Sequence, residues 1–424
     1  MREKITPKTK ISMEEIENEK LLIKIDTKSE KIDENTPQII KIEKFITTNY
    51  EIRIDIVMNV LESRKKNSND NFEKDEQFEN NLIVDLLRAG YKSVNQTVRS
   101  LLASNFVPKY HPIKEYFKTL KKWDGIDRIV ELCNCLDCDL NERQALNTNF
   151  KKHLIRCVAS VFVPKYFNKH CFVLIGTKQS MGKTSFIRYL MPKVLERYIT
   201  DAVGDWKDKD ANIALGSNFI INLDELANLD KNETNSLKAT LSRNSIKVRR
   251  PYDRIESEIP RLANFFGSTN DLQFLTDLTG NVRWVCFRIY GINFKYNKID
   301  INQLWAQAFH EFKNEFQYEL TKDELKENDI RNELFMIANE EVETIQKFFI
   351  PGKKDVENIE LGGLPKFAQS SELRKIINNK SYNFRSEKKF GQALVKLGFS
   401  KSSERMKTSK NPVYGYWYHE IYQE

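Results

Sequence analysis

The sequence lacks a long apolar segment. No run of about 18 apolar residues occurs in its 424 residues, and no apolar stretch follows a basic start at the N-terminus. We therefore expect neither a membrane span nor a secretory signal. We predict that the protein stays in the cytoplasm and has no membrane partner.

Cysteine is also scarce. Six cysteines are too few for a disulfide framework in a chain of this length, and a reducing compartment keeps them as thiols. Cys133, Cys135 and Cys138 lie close together, so part of a zinc site is an alternative interpretation. A structural zinc site needs a fourth ligand and normally paired CxxC or HxxxH elements. The sequence contains no such second pair, and we favour ordinary thiols.

The two ends of the chain differ in composition. Residues 1–45 contain no glycine, no tryptophan and one phenylalanine, and they show no sustained period. We predict a disordered or loosely ordered tail over residues 1–48. Residues 366–424 contain twelve Lys and Arg against five Asp and Glu. This surplus of positive charge predicts contact with a phosphate backbone, and an ordinary lysine-rich surface is the alternative.

Hydrophobic periodicity predicts the organisation between these ends. Alternation over 50–56 predicts a strand, and helical spacing recurs in the segments that follow it: 77–102, 113–123 and 141–162. These segments predict a mainly helical N-terminal region over residues 49–165. Four short apolar runs then predict strands that alternate with helices, at 171–175, 219–223, 263–266 and 284–289. They predict a layered α/β core over residues 166–300.

The last part of the chain is predicted to be helical and then basic. Aromatic residues at helical spacing after Asn302 predict a helical extension over residues 301–350, and glycines and a proline mark a linker over 351–365. In residues 366–424 we predict a helix at 371–377 capped by Ser371, a second helix at 387–397 and an aromatic hairpin. Two helices and a hairpin resemble a winged helix, whose second helix is the candidate for a duplex DNA groove.

The run IGTKQSMGKT, from Ile175 to Thr184, follows a predicted buried strand and precedes a predicted helix. Backbone N–H groups of such a loop can surround a β-phosphate, Lys183 can reach the β- and γ-phosphates, and the Thr184 hydroxyl can bind Mg²⁺. Thr177 takes the place of the usual first glycine, because Gly176 is displaced by one residue. ATP and Mg²⁺ are the predicted cofactors, and the predicted nucleotide contacts are Thr177, Lys178, Gln179, Ser180, Met181, Gly182, Lys183, Thr184 and Ser185.

Two later strands end in residues that suit the same site. Asp224 and Glu225 follow an apolar strand, so Asp224 can hold Mg²⁺ and Glu225 can polarise the attacking water. The alternative is a strand that ends at an ordinary polar turn. Asn270 ends a third strand, expected to lie between the other two, where it can bond the γ-phosphate or the water. An ordinary turn asparagine is the alternative there.

The spacing of these three motifs resembles that of the superfamily 3 helicases. More closely, the chain resembles the virulence-associated protein E family over about residues 50–350. The stretches that carry this resemblance, besides the phosphate loop, are 111–117, 123–125, 237–242, 249–252 and 279–284. The resemblance implies an α/β fold with an AAA+-like P-loop ATPase core. It also implies a nucleotide-driven homo-oligomeric ring, expected to be a hexamer, that acts in replication of a mobile element.

Members of that family are often fused to a primase, but residues 1–100 show no defensible cluster of catalytic acids or metal ligands. Priming would then come from a separate primase. Arg283 matches the family's arginine and is predicted to act as a finger in a neighbouring subunit, with pairing to Asp277 as the alternative. Basic residues between the second and third strands are predicted to contact single-stranded DNA in a channel, with a plain surface loop as the alternative: Lys247, Arg249, Arg250 and Arg254.

These motifs predict an ATP-dependent DNA helicase or translocase that acts in replication of a phage, plasmid or integrated element. A DNA-binding initiator or loader that uses ATP only as an assembly switch shares every motif and stays open. A small-molecule kinase is disfavoured, because the sequence has the Asp224–Glu225 pair and Asn270 and lacks an acceptor-site signature.

Overall fold

The computed structural model describes residues 35–201, 203, 205–206, 208–226, 231–248, 257–275, 281–337, 340–358, 363–379, 386–405 and 411–421. Arg249, Arg250, Arg254 and Asp277 therefore lie outside the described residues. Within the ranges described, every helix is too short or too polar to cross a membrane.

The first unit combines helices with a sheet. Its helices are α1 (Gln38–Asn49), α2 (Phe78–Arg88) and α3 (Asn95–Leu102), and its strands are β1 (Tyr50–Asp55), β2 (Val60–Lys65), β3 (Glu73–Lys74) and β4 (Lys109–Tyr110). The sheet order is β3-β2-β1-β4, with β1 antiparallel to β2 and parallel to β4. The prediction of a mainly helical region included a strand at 50–56, which is β1, but not its partners β2, β3 and β4; β3 and β4 are too short to show a period.

Helix α1 corrects the predicted boundary of the disordered tail. Ile42 and Ile46 lie one turn apart on α1 and are almost fully buried in the same core as Leu82 and Leu86 of α2. A helix this short is marginal alone, so burial of this apolar face is what orders it. The sequence prediction missed this helix, because residues 38–48 resemble the polar segment before them in composition. Only their packing partners distinguish the two segments.

The following segment is helical: α4 (Pro112–Thr119), α5 (Arg128–Cys133), the short strand β5 (Leu136–Asp137) and α6 (Arg143–Phe162). Helix α4 begins where the sequence favours it. The His111 ring accepts a hydrogen bond from the Lys114 N–H, and Pro112 occupies the first turn, where no N–H donor is needed. Helix α6 is buried on most sides, including Phe150 and Leu154. It therefore serves as a central support for the sheet that follows.

The central sheet contains five strands that all run in parallel. They are β6 (Cys171–Ile175), β7 (Ile199–Thr200), β8 (Ile220–Leu223), β11 (Asn264–Thr269) and β12 (Trp284–Arg288), in the order β12-β6-β11-β8-β7. Its neighbouring helices are α7 (Lys183–Tyr189), α8 (Lys209–Ser217) and α9 (Lys231–Leu241), and a two-stranded hairpin is formed by β9 (Ser245–Val248) and β10 (Ser257–Pro260). The mixed α/β class with a parallel sheet is thus as predicted, and β11 lies between β6 and β8 as expected.

Alternation along β6 divides the core into two layers. Phe172 and Leu174 pack on one side, in the cluster that holds α6, whereas Cys171, Val173 and Ile175 pack on the other side. The sequence of a parallel strand that is covered on both faces is a continuous apolar run, which is why β6 was predicted with its observed limits. The sheet is therefore a rigid platform whose carboxyl edge, after residues 175, 223 and 269, carries the loops.

After β13 (Gly291–Ile292) come the helices α10 (Ile301–Lys313), α11 (Lys322–Glu333) and α12 (Glu340–Phe348). Trp305 of α10 is fully buried, and its indole N–H donates to the carbonyl of Leu190 at 2.7 Å. Helix α11 begins with a capping box formed by Thr321 and Glu324. These helices confirm the predicted helical pattern after Asn302.

The C-terminal unit begins earlier than predicted. It contains β14 (Phe349–Pro351), β15 (Lys366–Ala368), α13 (Ser370–Asn378), α14 (Glu387–Lys396), β16 (Lys401–Glu404) and β17 (Val413–Glu420). All three other strands pair with β17 in antiparallel fashion. Ile345 and Phe348 of α12 and Phe349 of β14 belong to this core, although the sequence prediction assigned all three to the helical extension over residues 301–350. The cap of α13 is Gln369 paired with Glu372, not Ser371.

An ionic network joins the N-terminal sheet to the central unit. Arg197 donates to the buried carboxylates of Asp55, at 2.6 Å, and Glu62, and the Tyr198 hydroxyl donates to Asp55 at 2.7 Å. Burial alone raises the pKa of Glu62, but hydrogen bonds from Tyr110, Arg53 and Arg197 bring it below its ordinary value. Since Arg197 and Tyr198 immediately precede β7, the two units are held together beside the central sheet.

Candidate functional site

Residues 176–182 form a tight loop between β6 and α7 at the carboxyl edge of the central sheet. The Gly176 N–H donates to the Thr269 carbonyl at 3.1 Å, which fixes the start of the loop to β11. In the described part of the chain, the backbone N–H groups of residues 177–182 have no hydrogen-bond acceptor. A row of free amides that ends at a helix N-terminus favours an anion.

Gly182 is needed at the end of this loop. Its φ of +90° is in the left-handed region, and a Cβ atom there would lie 3.1 Å from the Phe294 ring. Ser180 also has a positive φ, of 56°. A side chain at position 182 would thus be strained by both backbone and neighbour. Thr177, in contrast, has no positive φ, which is why the loop tolerates the loss of glycine at that position.

Lys183 begins α7 and is only 7% exposed. Its ammonium group donates to the Gly176 carbonyl at 3.0 Å and to Asn270 Oδ1 at 2.7 Å. Burial lowers the pKa of Lys183 from its ordinary value of 10.5, and the nearby Asp224 carboxylate acts in the opposite direction. The structure therefore brings two of the predicted site residues, Lys183 and Asn270, into direct contact.

Thr184 and Asp224 meet at the same edge. The Thr184 hydroxyl donates to Asp224 Oδ2 at 2.8 Å, and the Ser268 hydroxyl donates to Asp224 Oδ1. A hydroxyl and a carboxylate are the hard oxygen donors that Mg²⁺ prefers, and Mg²⁺ is commonly held by one or two carboxylates together with phosphates and waters. These two side chains therefore fit the metal that the sequence predicts.

Glu225 follows Asp224 with a φ of 53° and an exposed side chain. A left-handed glutamate is uncommon, and its backbone N–H donates to Asp224 Oδ1 at 3.1 Å. This turn places the side chain at the solvent-facing rim of the edge. Glu225 thus lies beside the cluster of Lys183, Thr184, Asp224 and Asn270.

Arg283 lies at the opposite edge of the sheet. It immediately precedes β12, whose first residue, Trp284, pairs with Cys171, whereas the loop follows the other end of β6. Five residues of strand separate the two positions, roughly 16 Å. Its guanidinium Nε donates to the Ser242 hydroxyl at 2.9 Å. The structure therefore does not bring Arg283 to the loop of its own chain.

The predicted DNA contacts lie on or beside the β9–β10 hairpin. Lys247 is exposed on β9, while the three arginines fall in the part that is not described. The base of the hairpin is anchored, because Ile246 is buried and a Cβ atom on Gly216 of α8 would overlap the Ile259 side chain. Arg261 follows β10, is fully buried and donates to the carbonyls of Leu241 and Asn168.

Several residues at the site were not predicted. Ser268 was noted only as part of the Ser-Thr-Asn run, although it bonds Asp224, because a hydroxyl inside a strand looks like an ordinary strand residue. The contact of Ser242 with Arg283 was also not predicted, because it joins segments that are 41 residues apart. Beside the loop lie the exposed residues Arg288 and Phe294, which no motif marks.

Among the described residues, no group of three or more His, Cys, Asp or Glu side chains is arranged to hold a metal ion. Burial raises the pKa of the thiols of Cys133, Cys135 and Cys138, which favours the protonated form over the thiolate that binds zinc.

The fold and this edge define the chain as a three-layer α/β protein with a glycine-containing loop between the first strand of the sheet and its helix. Residues 117–337 match the Virulence-associated protein E-like domain, and the chain belongs to that family. The matched range contains the central sheet and every described residue of the site.

Two solved structures resemble the chain at low identity. The apo C-terminal region of NrS-1 (305–718) is 14% identical, with 89% of this chain and 98% of that chain covered and a TM-score of 0.48. The SCCmec type IV Cch, described as an active helicase, is 12% identical, with 88% and 93% covered and a TM-score of 0.37. Among proteins of curated function, none matches the sequence.

Proposed function

We propose that the chain is an ATP-dependent DNA translocase or helicase that acts in replication of a mobile element. The observation that carries the proposal is the convergence of Lys183, Asn270, Thr184 and Asp224 at one edge of a parallel sheet, beside a loop of free amides. Membership of the virulence-associated protein E-like family supports the replication role.

In this proposal Mg²⁺–ATP supplies the phosphoanhydride bond that is broken. The amides of residues 177–182 and the Lys183 ammonium bind the phosphate oxygens, and Thr184 with Asp224 holds the metal. Asn270, already in contact with Lys183, stands where it can bond the terminal phosphate or the attacking water. Glu225 at the rim orients and polarises that water.

The proposed motor is a homo-oligomeric ring, with a hexamer as the size that the family implies. Arg283 supports an arrangement in which one subunit completes the site of the next, because it lies across the sheet from the loop of its own chain. The β9–β10 hairpin, with exposed Lys247, is the proposed contact for single-stranded DNA in the channel. A separate primase is the proposed source of primers.

The basic C-terminal unit is the proposed contact for duplex DNA. Phe390, Ala393 and Leu394 of α14 are buried, whereas Lys388, Lys389 and Lys396 of the same helix are exposed. The arrangement of α13 and α14 with the β16–β17 hairpin resembles a winged helix, in which the second helix enters a groove. The exposed lysines of α14 are then directed toward phosphates.

The test pairs nucleotide hydrolysis with strand displacement. We expect the wild-type protein to hydrolyse ATP faster with single-stranded DNA and to displace a strand from a partial duplex. The Lys183→Ala variant should neither bind nor hydrolyse ATP, because no other side chain of the loop supplies the charge that faces the β- and γ-phosphates. Near-wild-type turnover by this variant would refute the proposed site.

The same pair of assays separates the motor from an initiator or loader. ATP hydrolysis with DNA binding but without any strand displacement would assign ATP to an assembly switch. Loss of displacement in the Lys183→Ala variant, with DNA binding retained, is the result expected of a motor.

A further inference from the structure

Beside the loop 176–182 runs a strip of exposed residues that the proposed phosphate contacts do not use. We call Arg288, Tyr290 and Phe294 the aromatic flank. Arg288 ends β12 directly opposite Ile175, the last residue before the loop. Its guanidinium stacks on the Tyr290 ring, 4.9 Å from the centroid. Phe294 is 58% exposed although it is a large apolar residue.

Phe294 is held against the loop itself. Its ring atoms lie 3.1 and 3.2 Å from the position that a Cβ atom on Gly182 would take. The ring also packs near Tyr296, with centroids 6.1 Å apart, and Tyr296 in turn packs edge-on against Phe186 of α7. The Asn293 side chain caps the turn by accepting a hydrogen bond from the Lys295 N–H at 3.0 Å. The exposed ring is therefore placed by buried neighbours.

The flank lies on a defined side of the site. The sheet order is β12-β6-β11-β8-β7, so Asn270 and Asp224 lie on the β11 and β8 side of the loop. The flank follows β12, on the other side. A nucleoside triphosphate whose terminal phosphate is bound near Asn270 and Asp224 must extend its sugar and base away from them. On that side the Phe294 ring lies against Gly182 and is exposed.

We infer that the aromatic flank binds the nucleoside part of the substrate, with the Phe294 ring as the surface on which the base stacks. This inference rests on the proposed ATP site. Every nucleobase has a π-face and can therefore stack on an aromatic side chain. The stacked pair of Arg288 and Tyr290 adds a positive charge beside the ribose and the first phosphate.

A fluorescent triphosphate tests the inference directly. The probe is 2-aminopurine riboside triphosphate with Mg²⁺ at saturating concentration, because its fluorescence is quenched when the base stacks. We expect quenching with the wild-type protein, loss of most quenching with Phe294→Ala, and retained quenching with Phe294→Trp. Affinity for ATP should fall about tenfold in Phe294→Ala and stay within about threefold in Phe294→Trp.

Two controls make the outcome decisive. Ile330→Ala removes another exposed apolar side chain, on α11, and should change neither quenching nor affinity. Thermal unfolding should show that Phe294→Ala folds, since the ring is mostly exposed. Equal quenching and equal ATP affinity in Phe294→Ala and wild type would overturn the inference and leave the ATP site standing. Failure of the wild-type protein to bind ATP at all would overturn both.

Discussion

Lys183 is the residue around which the site is organised. In the described structure its ammonium bonds one backbone carbonyl and one amide oxygen, so the side chain is already extended along the loop before any phosphate binds. Such pre-orientation reduces the entropy lost on binding. The lowered pKa of Lys183, caused by burial, means that its charge is lost at a lower pH than that of a free lysine.

Glu225 and Asp224 are neighbours with different expected roles, which a single substitution separates. In Glu225→Gln the Thr184–Asp224 pair is intact, so we expect Mg²⁺–ATP to bind nearly as in wild type. Hydrolysis should be at least about a hundredfold slower, because the amide cannot polarise the water. Titration calorimetry and a turnover assay measure the two effects. Matched losses of binding and turnover would instead give Glu225 a structural role.

Among the elements, helix α6 carries an unusual buried polar group. Arg156 is fully buried and donates to the Tyr318 carbonyl at 2.9 Å and to Asn168 Oδ1 at 3.2 Å. His153 on the same helix and His170 beside β6 are buried nearby. In the described part of the chain, His153 Nε2 and both His170 ring nitrogens have no hydrogen-bond partner. Burial, reinforced by the Arg156 charge, lowers the pKa of both imidazoles well below 6.5.

These histidines should make the fold sensitive to acid. Because their pKa is lower in the folded state, the unfolded chain binds more protons below pH 6.5, and stability falls as pH falls. Each histidine costs about 1.4 kcal/mol per pH unit below 6.5 until its folded pKa is reached. We expect His170→Gln to lose less free energy of unfolding between pH 7 and pH 5 than wild type does, measured by urea titration. Identical losses in the two proteins would contradict this expectation.

The elements also show what the sequence could and could not predict. Strand β6 was predicted with its observed limits, because a short, partly β-branched apolar run that is followed by a loop indicates a strand covered on both faces. Strand β14 was missed, because its pairing partner in β17 lies about seventy residues away. No local sequence pattern predicts this strand. The segment 77–102, in which helical spacing was predicted, contains two helices, because Gly90 and Ser93 adopt positive φ values between them.

The site was predictable to the extent that it depends on strand ends. Lys183, Asp224 and Asn270 follow parallel strands, and parallel strands bring their carboxyl ends to one edge. The bond between Lys183 and Asn270 and the contribution of Ser268 required the three-dimensional structure. The position of Arg283 also required the structure. A residue just before a strand and a residue just after it are both near that strand in the sequence, but they lie at opposite edges of the sheet.

For the whole molecule, charge on the C-terminal unit can be tested without cutting the chain. Removal of residues 366–424 would strip α12 and β14 of their packing partners, so substitution is the better experiment. We expect Lys388→Gln, Lys389→Gln and Lys396→Gln together to weaken duplex binding and to reduce the slope of log affinity against log salt by up to about 3. Basal ATPase activity should be unchanged.

The matched control substitutes three exposed lysines elsewhere with the same loss of charge: Lys118, Lys121 and Lys122. Fluorescence anisotropy with a short duplex at several salt concentrations measures both sets. An equal change of slope in the two sets would show a general charge effect instead of a contact made by α14.

Arg283 and the 176–182 loop also allow a test that needs two different inactive chains. Lys183→Ala retains Arg283, and Arg283→Ala retains the loop, so each supplies what the other has lost when they share an interface. We expect each variant alone to be nearly inactive and ATPase activity to reappear when the two are mixed. A mixture of Lys183→Ala with Glu225→Gln is the control, because both changes damage the same half of the site. Full activity of Arg283→Ala alone would contradict the shared site.

The separation of Arg283 from its own loop has a further consequence for how the proposed motor would be activated. In the proposed motor, a single chain holds Arg283 and the 176–182 loop some 16 Å apart, roughly the length of one strand, and cannot bring them together by moving a side chain. Only the assembled oligomer would then hydrolyse ATP, and a newly made or released subunit would be inactive. Dilution would inactivate the protein, and a high local concentration of subunits on its DNA target would activate it.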